Sequence, residues 1–119
     1  MEIQIENKGS FKHVKVLNER LDTLFTDKLK GTLSSLIKTQ GNKNIVLDIG
    51  NCSYCDASGL SAIVLGNRLC KTGMGKFVLT GTHVDVEKLI KICRLDSVLA
   101  IAKNMDEVDE LLLLKAEMD

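Results

Sequence analysis

The run Asn44-Ile45-Val46-Leu47-Asp48-Ile49, followed seven residues later by Asp56-Ala57-Ser58-Gly59-Leu60-Ser61-Ala62-Ile63, decides the fold. An apolar stretch of strand length leads through a polar loop into an acid-small-Ser-Gly turn that opens an apolar helix. Backbone N–H groups at a helix start lack internal partners and carry partial positive charge, so Asp56 or Ser58 is suited to cap them and an added phosphate would be tolerated there. The unit therefore offers a helix N-terminus to something outside the fold, in a manner more regulatory than catalytic.

Upstream, Ile3 and Ile5 alternate with polar neighbours, Lys8-Gly9-Ser10 makes a turn, and Val14, Val16 and Leu17 form a second strand candidate. This predicts an N-terminal antiparallel hairpin. From Asp22 the period changes, and Phe25, Leu29, Leu33, Leu36 and Ile37 recur at helical spacing until Gln40-Gly41-Asn42. Downstream, a helix spans about Ser58 to Thr72 and stops at Gly73-Met74-Gly75, with a strand at Phe77–Leu79. Val86, Leu89, Ile90 and Cys93 mark a third helix, Val98–Ala102 a last short strand, and Met105, Val108, Leu111 and Leu112 a fourth helix. The order β-β-α-β-α-β-α-β-α describes an α/β domain: a mixed sheet of four to five strands with about four helices.

At 119 residues the chain reads as one domain, residues 1–119, large enough to bury roughly two thirds of its unfolded surface. Lys plus Arg equals Asp plus Glu at 16 each, interspersed and without a basic stripe, so the electrostatic footprint of a nucleic-acid binder is missing. No segment approaches the ~20 apolar residues of a membrane span, and the start Met1-Glu2-Ile3-Gln4-Ile5-Glu6 lacks the pattern of an export signal. A cytoplasmic, protein-binding domain is the expectation.

Cys52 and Cys55 form a C-x2-C, but Cys70, Cys93, His13 and His83 are scattered, so neither a zinc site nor a thioredoxin-like pair is expected. Reduced, packed thiols are the reading. His13 and His83 read as solvated surface residues, and Asp48 with Asp56 as a strand residue and a helix cap. No nucleophile–base spacing suggests an enzyme, and no cofactor is indicated.

On the central helix, residues placed 100° apart put Ala62, Ile63, Gly66, Leu69 and Cys70 on the side facing the core, with Ala62 and Gly66 permitting close approach to the sheet. The other side carries Leu60, Ser61, Val64, Leu65, Asn67, Arg68 and Lys71, the mixture of apolar centre and polar rim found at partner-binding faces. The alternative is that a neighbouring helix covers Leu60, Val64 and Leu65.

These elements, with Ile45–Ile49, Asp56-Ala57-Ser58-Gly59-Leu60 and Gly73-Met74-Gly75-Lys76-Phe77-Val78-Leu79, resemble the STAS domain family, and within it the single-domain anti-sigma factor antagonists of bacteria. The resemblance runs from about Ile3 to Leu113. In that family a turn such as Asp-Ser-Ser-Gly-Leu meets a serine-kinase anti-sigma factor, and the hydroxyl residue after the aspartate is the phosphoacceptor. Unphosphorylated antagonist binds its partner; phosphorylated antagonist releases it. The resemblance thus implies a GHKL-type kinase as partner, a PP2C-type phosphatase as a further one, and a monomer or weak dimer. Asp56, Ser58, Gly59 and Leu60 match the motif, whereas the phosphoacceptor position holds Ala57. Leu60, Ser61, Val64, Leu65 and Arg68 are the implied contact residues. A second implied role is that of an accessory subunit of an ABC-type lipid transport complex, where the same helix docks on an ATPase subunit.

Overall fold

The computed structural model describes residues 2–118, with side chains described through residue 113. Strands β1 (Ile3–Asn7) and β2 (Lys12–Val16) form the expected antiparallel hairpin, with Ile5 opposite Val14. There follow β3 (Arg20–Leu21), α1 (Thr23–Ser34), β4 (Asn44–Asp48), β5 (Tyr54–Cys55), α2 (Ala57–Thr72), β6 (Lys76–Thr80), α3 (Val84–Ile92), β7 (Ala100–Ala102) and α4 (Met105–Met118). The main sheet has five strands in the order β1-β2-β4-β6-β7, antiparallel at β1–β2 and parallel from there on.

The apolar run of β4 is continuous because both faces of the sheet are covered. Ile45, Leu47 and Ile49 join Phe25, Leu29 and Leu33 of α1 and Ala62 and Ile63 of α2 in the larger core. Val46 points the other way, into a smaller cluster with Phe11, Val78, Ala102 and Val108 of α4. The same alternation recurs one strand over, where Phe77 and Leu79 face the large core and Val78 the small one. A fully buried side chain of this size stabilises the fold by on the order of 1.5–3 kcal/mol. Close approach of α2 to the sheet rests on Gly66, as expected: a Cβ there would lie 2.6 Å from the Phe77 ring.

Three local features depart from the sequence reading. The first helix does not end as an α-helix but widens into a π-helical turn over Ser35–Thr39, closed by the bond from Gln40 N–H to Ser35 O, with the Asn42 side chain donating to Leu36 O. The last strand is shorter than Val98–Ala102, because Val98 and Leu99 N–H groups both turn back to Leu95 O and leave only Ala100–Ala102 to pair with β6. A second, two-stranded parallel sheet joins β3 to β5, Arg20 to Tyr54 and Leu21 to Cys55. Two-residue strands show no periodicity, yet this pair determines where α2 begins.

Candidate functional site

Asp56 has extended backbone geometry (φ −110°, ψ −172°) and caps α2, its Oδ1 accepting from Gly59 N–H at 3.0 Å and from the Ser58 hydroxyl at 2.6 Å. The Ser58 hydroxyl, and after it the Gly59 N–H, hold the Asp56 carboxyl below the ordinary carboxylate range. Gly59 is required for a different reason. A Cβ at this position would lie 2.3 Å from Leu21 O and 2.7 Å from Cys55 Sγ, so the first turn of α2 rests directly on the β3 backbone.

That contact brings the start of α2 beside the start of α1. Asp22 caps α1 through Leu24 N–H at 3.2 Å, and Arg20 Nε donates to its other oxygen at 3.0 Å while its guanidinium lies 4.0 Å from the Tyr54 ring centroid. Between the two caps, Ser58 Oγ lies 3.2 Å from Thr26 Oγ1 and 3.4 Å from Thr23 Oγ1, and Thr26 also donates to Asp22 O at 2.7 Å. Ser58 is half-buried within this hydroxyl cluster, its proton directed to Asp56. Ala57, one residue earlier at the first helical position, is exposed.

Along α2, Ser61 and Arg68 are exposed, and Val64 and Leu65 are half-buried. Leu60 and Asn67 do not belong to this outer face, contrary to the helical-wheel reading: they are 5% and 4% exposed, and Leu60 packs in the large core. A single-sided wheel assumes one neighbour, whereas α2 has two, the sheet beneath and α1 alongside. Among the described residues, the buried Asn67 Oδ1 has no hydrogen-bond partner. Beside the two caps, exposed apolar side chains that a periodicity argument does not find include Leu24, 95% exposed on the first turn of α1, and Tyr54, 41% exposed beneath Arg20. Asp22 was legible as a helix start; that its helix abuts the start of α2 is a tertiary fact.

Cys52 is fully buried, with its thiol on Asn18 O, and Cys55 is half-buried against Gly59. Burial pushes the two thiols up to about 11 and about 12, with Asp48 adding to the first effect and Asp56 to the second, so both stay protonated and unreactive at neutral pH. Cys93, by contrast, is exposed. His13 is no solvated residue: its side chain is 16% exposed, and Nε2 lies 3.1 Å from Asp48 Oδ2 because β2 and β4 are parallel neighbours. The other Asp48 oxygen accepts from Gly50 N–H at 2.9 Å. His83 is exposed but engaged, its Nε2 lying 2.7 Å from Gly50 O.

A mixed sheet with an N-terminal hairpin, and a capped helix start presented on its surface, defines a class of small α/β domains. The STAS domain family model matches residues 2–108, and the chain belongs to this family. Its fold is shared with an anti-sigma factor antagonist from Mycobacterium paratuberculosis (14% identity, 92% of each chain, TM-score 0.81). It is also shared with a variant of RsbS from Moorella thermoacetica (22% identity, 98% of this chain and 99% of that one, TM-score 0.78). SpoIIAA of Bacillus in its unphosphorylated form aligns over 92% of this chain and 95% of its own at 17% identity, with a TM-score of 0.75. Among the described residues no helix is long and apolar enough to cross a membrane.

Proposed function

We propose that this protein is an anti-sigma factor antagonist that acts in the cytoplasm, binding a GHKL-type serine-kinase anti-sigma factor through the start and outer face of α2. Ala57, Ser61, Val64, Leu65 and Arg68 form the contact; Leu60 contributes from beneath by holding the helix on the core. The observation that carries the reading is the pairing of an exposed Ala57 with a Ser58 whose hydroxyl donates to Asp56 and lies against the α1 threonines. A kinase facing this helix start meets a methyl group at the position where the family carries its phosphoacceptor. The protein is then permanently in the binding form, and a PP2C-type phosphatase has no phosphate to remove from it. The role is one of binding without catalysis, with Asp48 and Asp56 committed to backbone and side-chain partners and both loop thiols protonated.

The test is to mix the purified protein with a purified GHKL-type serine-kinase anti-sigma factor from the same cell, with ATP, and map phosphate by mass spectrometry. The expected result is a stable complex and no phosphate on the protein. Ala57→Ser is expected to be phosphorylated at the new hydroxyl and to release the kinase, since phosphorylation adds about −1.5 to −2 charges at the contact. Phosphate on Ser58, removed by Ser58→Ala and coupled to release, would refute the permanent-binding reading. Capture of an ABC-type ATPase subunit in place of the kinase would replace the function itself.

A further inference from the structure

The loop from β4 to β5 carries the chain from the sheet to the Asp56 cap, and Gly50 near its start is gripped at both polar backbone atoms. Gly50 N–H donates to Asp48 Oδ1 at 2.9 Å, and Gly50 O lies 2.7 Å from His83 Nε2. The carbonyl can only accept, so Nε2 carries the proton, as it does in both the Nε2–H tautomer and the imidazolium. Just before the loop, Ile49 N–H donates to Thr80 O at 3.0 Å and keeps β4 joined to β6 up to the point of departure.

His83 occupies the N-cap of α3, yet its side chain makes no capping bond to that helix. Residues that cap normally turn a side-chain oxygen back onto their own first turn, and an imidazole donor aimed 33 residues away does the opposite. Its aim is set by Gly81, whose φ of +79° brings the β6–α3 turn against the loop; a Cβ there would lie 2.7 Å from Gly50 N and 2.8 Å from Gly50 Cα. The two loops therefore touch backbone to backbone, and His83 is the side chain that bonds one to the other. At the far end, Ser53 and Tyr54 N–H groups donate to Glu19 O, and Asp56 N–H donates to Leu21 O at 3.3 Å. Between these end anchors, the bond from Cys52 N–H to Ile49 O and the Cys52 thiol on Asn18 O are the further ties.

We infer that His83 is a positioning residue for the α2 site: by holding the Gly50 carbonyl it sets the path of the loop that delivers Asp56 and Ala57, and so links α3 to the binding surface. This deepens the proposed function and rests on it. Removing the donor leaves the sheet and both cores untouched, because His83 is exposed and its bond reaches only the loop. The loss falls on preorganisation of the contact surface.

The test uses the full chain with His83→Ala and His83→Gln, since the glutamine amide restores an N–H donor of similar reach. Affinity for the purified GHKL kinase is measured by calorimetry, and amide hydrogen exchange is followed on the free proteins. His83→Ala is expected to weaken binding about tenfold, the size of one hydrogen bond that preorganises a loop, while His83→Gln stays within about threefold of the parent. Exchange should accelerate from Gly50 to Gly59 in His83→Ala alone, with β4 and β6 unchanged. Parental affinity in His83→Ala, or equal weakening in both variants, would overturn the inference. A parent that binds no kinase would count against the proposed function, and the exchange data would then decide the inference: acceleration in the loop upholds the anchoring, and unchanged exchange refutes it.

Discussion

The starts of α1 and α2 lie side by side and are capped by the same chemistry, yet their first turns meet their surroundings in different ways. Each has an aspartate in extended geometry at the cap, Asp22 and Asp56, each accepting a backbone N–H from the first turn. At the second helical position α1 sends Leu24 into solvent, whereas α2 folds Ser58 into the hydroxyl cluster. At the third, α1 buries the large Phe25 and α2 has Gly59, pressed on the Leu21 carbonyl. The difference teaches that a cap supplies an end to a helix, and the third residue decides whether that end is anchored by a side chain in the core or by backbone pressed on backbone. A residue displayed just after the cap of α2, Ala57, is therefore held in place from below.

The largest expected effect breaks that hold. Gly59→Ala places a methyl group inside the Leu21 carbonyl and is expected to cost about 3 kcal/mol, the upper range for overpacking, read by urea denaturation. If stability fell by less than about 1 kcal/mol, the close contact between α2 and β3 would not matter as described. Next, Val64→Asp or Leu65→Asp should weaken kinase binding by about 2 kcal/mol while the fold still melts in one cooperative transition, because each is a half-buried apolar residue on the outer face. Unaltered affinity in both would remove α2 from the interface.

Loss of either cap sharpens the comparison further. Asp22→Ala and Asp56→Ala should each lower stability by about 1 kcal/mol, but only the second should reduce partner affinity. The Asp56 cap also carries a pH signature. Its folded-state value is lowered, so its charge stabilises the fold above the ordinary value of about 3.9, and the contribution is lost as pH falls through the lower folded value. Melting temperatures of the parent and of Asp56→Asn should therefore differ at neutral pH and converge only below that ordinary value. The smallest effect has the opposite sign: Gly31→Ala, in α1 with open space around it, should raise stability by about 0.5–1 kcal/mol. Glycines of two adjacent helices would thus respond in opposite directions to the same methyl group.

Much of this architecture was legible in the chain because hydrophobic period reports burial. Ile45–Ile49 read as a buried strand, Phe25, Leu29 and Leu33 as one helix face, and Gly66 as a point of close approach, and all three stand. What period cannot report is a neighbour outside the local element. A helical wheel puts Leu60 and Asn67 on the outer face of α2, and only the fold decides for the alternative in which a neighbouring helix covers Leu60, and buries Asn67 as well. The β3–β5 pair was invisible for lack of length, and with it the reason Gly59 is glycine. His13 looked solvated because its partner, Asp48, is 35 residues away and adjacent only once β2 and β4 pair. The cap itself, from Asp56 to Gly59, was the part of the site most readable in advance, since capping is a contact within four residues.

The ends of the five-stranded sheet bear on how concentrated this protein can become. With 16 positive and 16 negative side chains, molecules at neutral pH have no net repulsion to hold them apart. Colloidal behaviour then depends on the two open edges, where unpaired backbone groups invite a second chain. β7 offers only three residues, too short to nucleate a lasting ladder, and β1 alternates Ile3 and Ile5 with Gln4 and Glu6. Brevity at one border and a carboxylate at the other blunt the two edges, the work that surface charge does in more polar domains.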